Sequence, residues 1–173
     1  MIQTLEFKER ADIITERLDN TELNKILIEK IKKIGDVQNC KTNLQGDMTS
    51  WRMQEEKEFN IICKQAIQII ERSIPKHDSL GRKNLLVIEC WGGVYRKGSV
   101  CHPHNHIPCA WSFVYYAQAT HNDAPLVFPT ASLGMRPETG LLVAFPGWVT
   151  HNVPIQEHDS ERIIVAGNFK QVK

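Results

Sequence analysis

The chain predicts an α+β fold in which N-terminal helices pack on the sheet of a jelly-roll core, and three observations carry that expectation. Charge is the first: of 41 Asp, Glu, Lys and Arg residues, 29 fall in residues 1–83 (14 acidic, 15 basic), leaving 12 for the longer remainder. The front is therefore solvated, and burial is concentrated behind it. The second is a change of period, from helical stripes before residue 83 to short β-rich runs after it. The third is the punctuation of those runs by turn residues, the pattern of a sandwich or barrel rather than of alternating βα units.

The first helix is expected over Thr21 to Ile34, where Leu23, Ile26, Leu27, Ile31 and Ile34 recur at helical spacing. Asn20 or Thr21 supplies an N-cap and Gly35 a stop. A second helix, from about Glu55 to Ser73, places Phe59, Ile62, Cys63, Ala66, Ile69 and Ile70 on one side and ends before Pro75. Apolar stripes of this kind seek a core, so both helices are assigned to packing against the sheet. Strands are expected at 85–91, 100–106, 111–119, 126–128, 141–145 and 162–169, separated by Gly92-Gly93, Lys97-Gly98, His121-Asn122-Asp123 and Thr139-Gly140. Residues 1–173 read as one domain, with 1–83 as helical support and 84–173 as the jelly-roll core that carries the site.

Composition narrows the function. A chain of 173 residues buries an adequate core without metal or disulfide staples. A net charge of +1 gives no general attraction to nucleic acid or to an anionic membrane. No run approaches the roughly 18 apolar residues of a membrane span, and the first ten residues lack a signal-like apolar region. A cytoplasmic location is expected. The five cysteines, Cys40, Cys63, Cys90, Cys101 and Cys109, form no CxxC pair and read as reduced thiols.

Chemistry is concentrated in Cys101-His102-Pro103-His104-Asn105-His106, answered downstream by Phe145-Pro146-Gly147-Trp148-Val149-Thr150-His151 and then by Arg162. On an extended segment, which Pro103 and Pro108 favour, His104 and His106 point to one face. His102 shares that alternation and competes with His106 as a ligand. Imidazole serves zinc, copper, iron and nickel alike, so the surroundings must name the metal. An oxygen-activating iron commonly has two histidines and one carboxylate on one face. Here the residue two after His104 is His106, and no Asp or Glu follows within fifteen positions. The candidate is thus a neutral three-histidine face of His104, His106 and His151, one charge unit more positive than the usual set. Arg162 lies among Ile163, Ile164 and Val165, where a guanidinium calls for an anionic partner. Its planar fork suits the far carboxylate of a chelating dicarboxylate. His77, His121 and His158 sit in polar turns and read as surface residues. Trp91, Trp111 and Trp148 read as core or pocket wall, with Trp91 and Tyr95 open to substrate contact; Asn168 is either a buried structural amide or a group that orients the site.

The stretch from Trp91 to Phe169 resembles the 2-oxoglutarate- and Fe(II)-dependent oxygenases, specifically a small bacterial and phage branch related to prolyl 4-hydroxylases. The matching elements are His104-Asn105-His106, Ser112-Phe113-Val114-Tyr115-Tyr116, Pro125-Leu126-Val127-Phe128, Pro137 to Trp148, His151, Arg162 and Gly167-Asn168-Phe169. The resemblance implies a double-stranded β-helix and Fe(II) held by His104, His106 and His151, with no catalytic side chain beyond those ligands. It also implies 2-oxoglutarate bound by Arg162 and Tyr116, and hydroxylation of a small-molecule or peptide substrate in the cytoplasm, the host's if the gene is a phage's. His106 is the departure, standing where most of the superfamily has Asp. Two other readings stay open: a cupin-type dioxygenase or isomerase that does not use 2-oxoglutarate, and a non-enzymatic metal-binding protein.

Overall fold

The computed structural model describes residues 10–34, 42–74 and 84–172. The expected helix stops at Gly35 and Pro75, together with Cys40 and His77, lie outside the described residues. In chain order the elements are β1 (Ile14–Arg17), α1 (Thr21–Ile34), β2 (Leu44–Gln45), β3 (Asp47–Met48), α2 (Lys57–Ser73), β4 (Leu85–Tyr95), β5 (Val100–His104), β6 (Trp111–Gln118), β7 (Leu126–Phe128), β8 (Leu133–Met135), β9 (Leu141–Pro146), β10 (His151–Val153) and β11 (Arg162–Gln171), with short 3-10 turns at Met53–Glu55 and Pro129–Ala131. Antiparallel pairing builds a six-stranded sheet in the order β1-β9-β6-β11-β4-β3 and a five-stranded sheet in the order β2-β5-β10-β7-β8. The two face each other as a double-stranded β-helix, the jelly-roll core of an α+β fold.

Alternation along β11 shows how the larger sheet serves two cores at once. Ile163, Val165 and Phe169 face the helices and join Leu27 and Ile31 of α1 with Phe59, Ile62, Cys63, Ala66 and Ile70 of α2. Ile164 and Ala166 face the smaller sheet and join Trp91, Tyr95, Val114, Tyr116, Val143 and Phe145. Each fully buried Ile or Phe of the helix stripes contributes about 1.5–3 kcal/mol of apolar transfer. The helices therefore brace one face of the sheet and leave the other for chemistry. Ile26 sits on the rim of its stripe at 44% exposure. Asn20, expected as a cap, instead donates its amide to Gln65 Oε1 at 2.9 Å and ties the start of α1 to α2. Deeper in the same interface the Tyr115 hydroxyl donates to Asn24 Oδ1 at 2.7 Å.

Two sequence expectations about elements are corrected. Gly92-Gly93 is not a turn: β4 runs through it to Tyr95. A Cβ on Gly92 would come within 2.5 Å of Ile31 Cγ1, so the glycine is there to let α1 lie close on the strand. The front of the chain is also not purely helical, because β1 extends the large sheet beside β9, β3 extends it beside β4, and β2 extends the small sheet beside β5. These strands, like β8 and β10, are two to four residues long. Runs that short carry no readable period.

Candidate metal centre

The site lies between the sheets where β5 meets β10. His151 on β10 pairs with His104 on β5, but Val153 pairs with Cys101, so β5 spends one residue more than its partner over this interval. That β-bulge breaks the alternation and re-aims side chains. Cys101 and His104 both line the interior, whereas His102 is turned outward and exposed, with its Nε2 3.0 Å from Gln45 Nε2. His102 is thereby removed from competition with His106. His106 itself lies just beyond the end of β5 rather than within it, in a turn anchored by two backbone bonds: His106 N–H donates to the Gly147 carbonyl at 2.7 Å and Cys109 N–H donates to the His106 carbonyl at 2.7 Å.

His104, His106 and His151 converge, with one ring nitrogen from each lying within 4.8 Å of the others. Ring centroids are 4.4 Å apart for His104 and His151, 4.9 Å for His104 and His106, and 5.0 Å for His106 and His151. Nδ1 of His104 bonds the His102 carbonyl at 2.7 Å and Nδ1 of His151 bonds the Val149 carbonyl at 3.0 Å. Each carbonyl fixes the proton on Nδ1 and leaves the Nε2 lone pair free, the orientation metal-binding histidines require. Desolvation is the main cause that lowers the basicity of all three. His106 is pushed down to about 3, with His151 and His104 as like-charged neighbours; His151 is pushed down to about 4, with His104 adding to the effect; His104 is lowered too. All three rings are neutral at pH 7, as ligands must be.

The second feature is Arg162, 1% exposed at the start of β11. Its Cζ lies 4.0 Å from the Tyr95 ring centroid and 5.7 Å from that of Tyr116, and one terminal N–H donates to the Ala124 carbonyl at 2.6 Å. The loop offering that carbonyl is braced from behind: Gln156 accepts from Ala124 N–H at 2.7 Å, and Asp123 accepts from Thr120 N–H, from the Gln156 amide and from the Ser160 hydroxyl. No carboxylate meets the guanidinium among the described residues, and its Nε–H has no hydrogen-bond partner. A buried cation with an orphaned donor is costly unless an anion completes it. Tyr116 stands beside it with its hydroxyl free of any partner among the described residues, and burial raises its pKa. Burial also raises the pKa of the Tyr95 hydroxyl, and that of the Cys101 thiol to about 11.

Histidines and arginine share one cavity of about 420 Å³, walled by Leu44, Met48, Val114, Leu126, Phe145, Val153 and Ile164. Three neutral imidazoles on one side of a cavity would suit iron, nickel or zinc. Among the described residues no cysteine joins the three histidines, and burial raises the Cys101 thiol to about 11. His121 and His158 are exposed, as the sequence suggests, but so is Trp148, at 41%, which corrects its reading as core or pocket wall. Trp111 lies in the core on the helix side.

Two residues lining the cavity had no signal in the sequence. Glu89 is the only carboxylate there among the described residues, and Trp51 the other addition. Glu89 pairs with Asn168 and Phe169 pairs with Val87, so Ile88 is an extra residue in β4. That bulge turns Glu89 from the helix side, faced by Leu85 and Val87, to the cavity side, shared with Trp91 and Tyr95. Asn168 links it to the metal centre: its amide donates to Glu89 Oε2 at 2.9 Å and lies 3.3 Å from His106 Nδ1, while its Oδ1 accepts from the Ser112 hydroxyl at 2.8 Å. Asn168 is thus a bonded part of the site.

No protein-family model and no curated protein matches the sequence. Solved structures do match the fold. The viral collagen prolyl hydroxylase of Paramecium bursaria Chlorella virus-1, solved with 2-oxoglutarate, superposes over 92% of this chain and 97% of its own at 15% identity and a TM-score of 0.68. A prolyl-4-hydroxylase from Pseudomonas putida covers 93% of each chain at 19% identity and a TM-score of 0.67. HygX from Streptomyces hygroscopicus, solved with nickel and 2-oxoglutarate, covers 92% of this chain and 83% of its own at 7% identity and a TM-score of 0.67. At these identities the likeness is one of fold.

Proposed function

We propose that the chain is an Fe(II)- and 2-oxoglutarate-dependent dioxygenase that hydroxylates a small-molecule or peptide substrate. The observation that carries this reading is the pairing, in one cavity, of three convergent neutral imidazoles with a buried arginine whose Nε–H has no partner. Structural neighbours named as prolyl hydroxylases, and one solved with nickel and 2-oxoglutarate, support it. The free thiols suit a reducing compartment such as the cytoplasm.

His104, His106 and His151 would hold the metal through one nitrogen each. When bound, Fe(II) with 2-oxoglutarate supplies the activation of dioxygen that side chains cannot perform. The chain supplies placement. Arg162, with its unpartnered Nε–H, and Tyr116, with its hydroxyl, would hold the far carboxylate of 2-oxoglutarate. Tyr95 stacks under the guanidinium and keeps its plane fixed, and the Ala124 carbonyl holds the end that the co-substrate does not use. Val114, Leu126 and Ile164 keep water from the carboxylate and so strengthen its pairing with Arg162. A cupin-type enzyme working without 2-oxoglutarate would leave that buried guanidinium unexplained.

The test is anaerobic titration of the Fe(II)-loaded protein with 2-oxoglutarate, followed by its visible charge-transfer absorption. The band is expected in the wild type and strongly weakened in Arg162→Ala, with conversion of 2-oxoglutarate to succinate lost in parallel. No band, and succinate formation unaffected by Arg162→Ala, would sink the assignment.

A further inference from the structure

The cavity carries a second charged residue that the oxygenase reading leaves unused. Among the described residues, two of its lining side chains bear a formal charge: Arg162, assigned to the co-substrate, and Glu89. Glu89 accepts one hydrogen bond, from Asn168 at 2.9 Å, and has no Lys or Arg partner among the described residues. It stands outside the three-histidine cluster. A half-buried carboxylate without a cation is a poor structural choice, and the bulge at Ile88 is what turns it inward.

Two tryptophans line the cavity with Glu89, Trp91 two residues further along β4 and Trp51. Trp51 and Trp91 meet edge to face with centroids 4.8 Å apart, and Trp91 lies 6.2 Å from His106. The backbone that carries Trp51 is tied to the strand that carries Trp91: Cys90 N–H donates to the Trp51 carbonyl at 2.9 Å, and an isolated bridge joins Arg52 to Cys90. A preformed pair of indole faces beside a carboxylate attracts a positively charged group by cation–π and charge-assisted hydrogen bonding together. An apolar or acidic group gains neither.

We infer that Glu89, Trp51 and Trp91 form the substrate subsite, and that the substrate presents to them an alkylammonium or guanidinium group. This rests on the oxygenase reading only for what happens next. Glu89 bonds Asn168, whose amide lies 3.3 Å from His106 Nδ1, so a cation seated here leaves the rest of the substrate to run along the metal side of the cavity. A carbon of the substrate beyond the one bearing the nitrogen is the expected position of oxidation, so the hydroxyl is retained in the product. The overall reaction balances as one O2 and one 2-oxoglutarate consumed for one C–H converted to C–OH, one succinate and one CO2.

The experiment uses the full chain loaded anaerobically with Fe(II) and 2-oxoglutarate, and three probes: N-acetyl-L-lysine methylamide, its uncharged counterpart N-acetyl-L-norleucine methylamide, and agmatine. Binding is read by tryptophan fluorescence and calorimetry. The lysine probe is expected to bind at least about tenfold more tightly than the norleucine probe, a difference typical of one charge-assisted contact in a partly dry site. Glu89→Gln, which keeps an acceptor for Asn168, should abolish the preference, and Trp51→Leu should reduce it. On admitting oxygen, a cationic probe should gain 16 mass units. Equal binding of the lysine and norleucine probes, no binding of either cationic probe, or a preference that survives Glu89→Gln each overturns the inference. So does a Glu89→Gln protein that loses Fe(II) affinity yet keeps the preference, since Glu89 would then serve the metal. Failure of the parent reading looks different: the 2-oxoglutarate band is absent in the wild type, while the metal-free protein still prefers the cationic probes through Glu89.

Discussion

Arg162 is the residue whose cost most clearly exposes its purpose. An arginine at 1% exposure with an unpartnered Nε–H is destabilising unless something anionic meets it. Arg162→Met, close in length and apolar, is therefore expected to raise the stability of the ligand-free protein by roughly 1–3 kcal/mol in denaturant unfolding while abolishing its response to 2-oxoglutarate. A variant that is less stable and still responds would contradict the role. The histidines make the opposite wager, because burial favours their neutral forms. With His106 lowered to about 3 and His151 to about 4, against about 6.5 when unfolded, the unfolded chain binds more protons between those limits. Their contribution is fully present above pH 6.5 and is lost as pH falls from there toward 4. Metal-free protein should accordingly show a falling Tm over that interval, and His106→Gln should flatten the fall. The imidazole cluster and Arg162 were legible in sequence, because histidine pairs and a cation inside an apolar run are rare patterns. Glu89 was not, since nothing in Ile88-Glu89-Cys90 shows that one residue is extra.

At the scale of elements, two bulges decide what the site contains. The one in β5 separates His102 from His104, which strict alternation would have placed together. His102→Ala should therefore leave Fe(II) affinity within about twofold of wild type, whereas His106→Ala should lower it by more than about a hundredfold, beyond what loss of a supporting contact costs. Competition titration with a chromogenic chelator measures both, and similar losses in the two variants would mean the register is different. The His106 turn depends equally on Gly147. A Cβ there would stand 2.2 Å from the Cys109 carbonyl oxygen, backbone against backbone with nothing flexible to yield. Gly147→Ala should cost about 2–4 kcal/mol and weaken metal binding with it, as a shift of the His106 loop requires. The two helices were readable from their stripes because tertiary packing there follows the 3.6-residue period. The short strands β1, β2, β3, β8 and β10 exist only through their partners, so their own residues announce little.

For the molecule as a whole, the larger sheet divides the work: one face buries the apolar sides of both helices, the other holds the cavity. Ligands that bind only the folded state must stabilise it by mass action. Fe(II) and 2-oxoglutarate, each at about a hundred times its Kd, should each add about 2.7 kcal/mol, visible as a stepwise rise in Tm that a chelator reverses. The 2-oxoglutarate step should vanish without metal, because the co-substrate then keeps only its Arg162 end. Among the described residues no helix is long and apolar enough to cross a membrane, as composition led one to expect. The sequence by itself determined the fold class, the two helices, the histidine cluster and the buried arginine, because periodicity and residue chemistry are local properties. Tertiary structure alone decided which histidines face inward, which acid enters the cavity and which tryptophans wall it. Those outcomes turn on one extra residue in β5 and another in β4, and a bulge is defined by the partner strand, which no local reading of the chain contains.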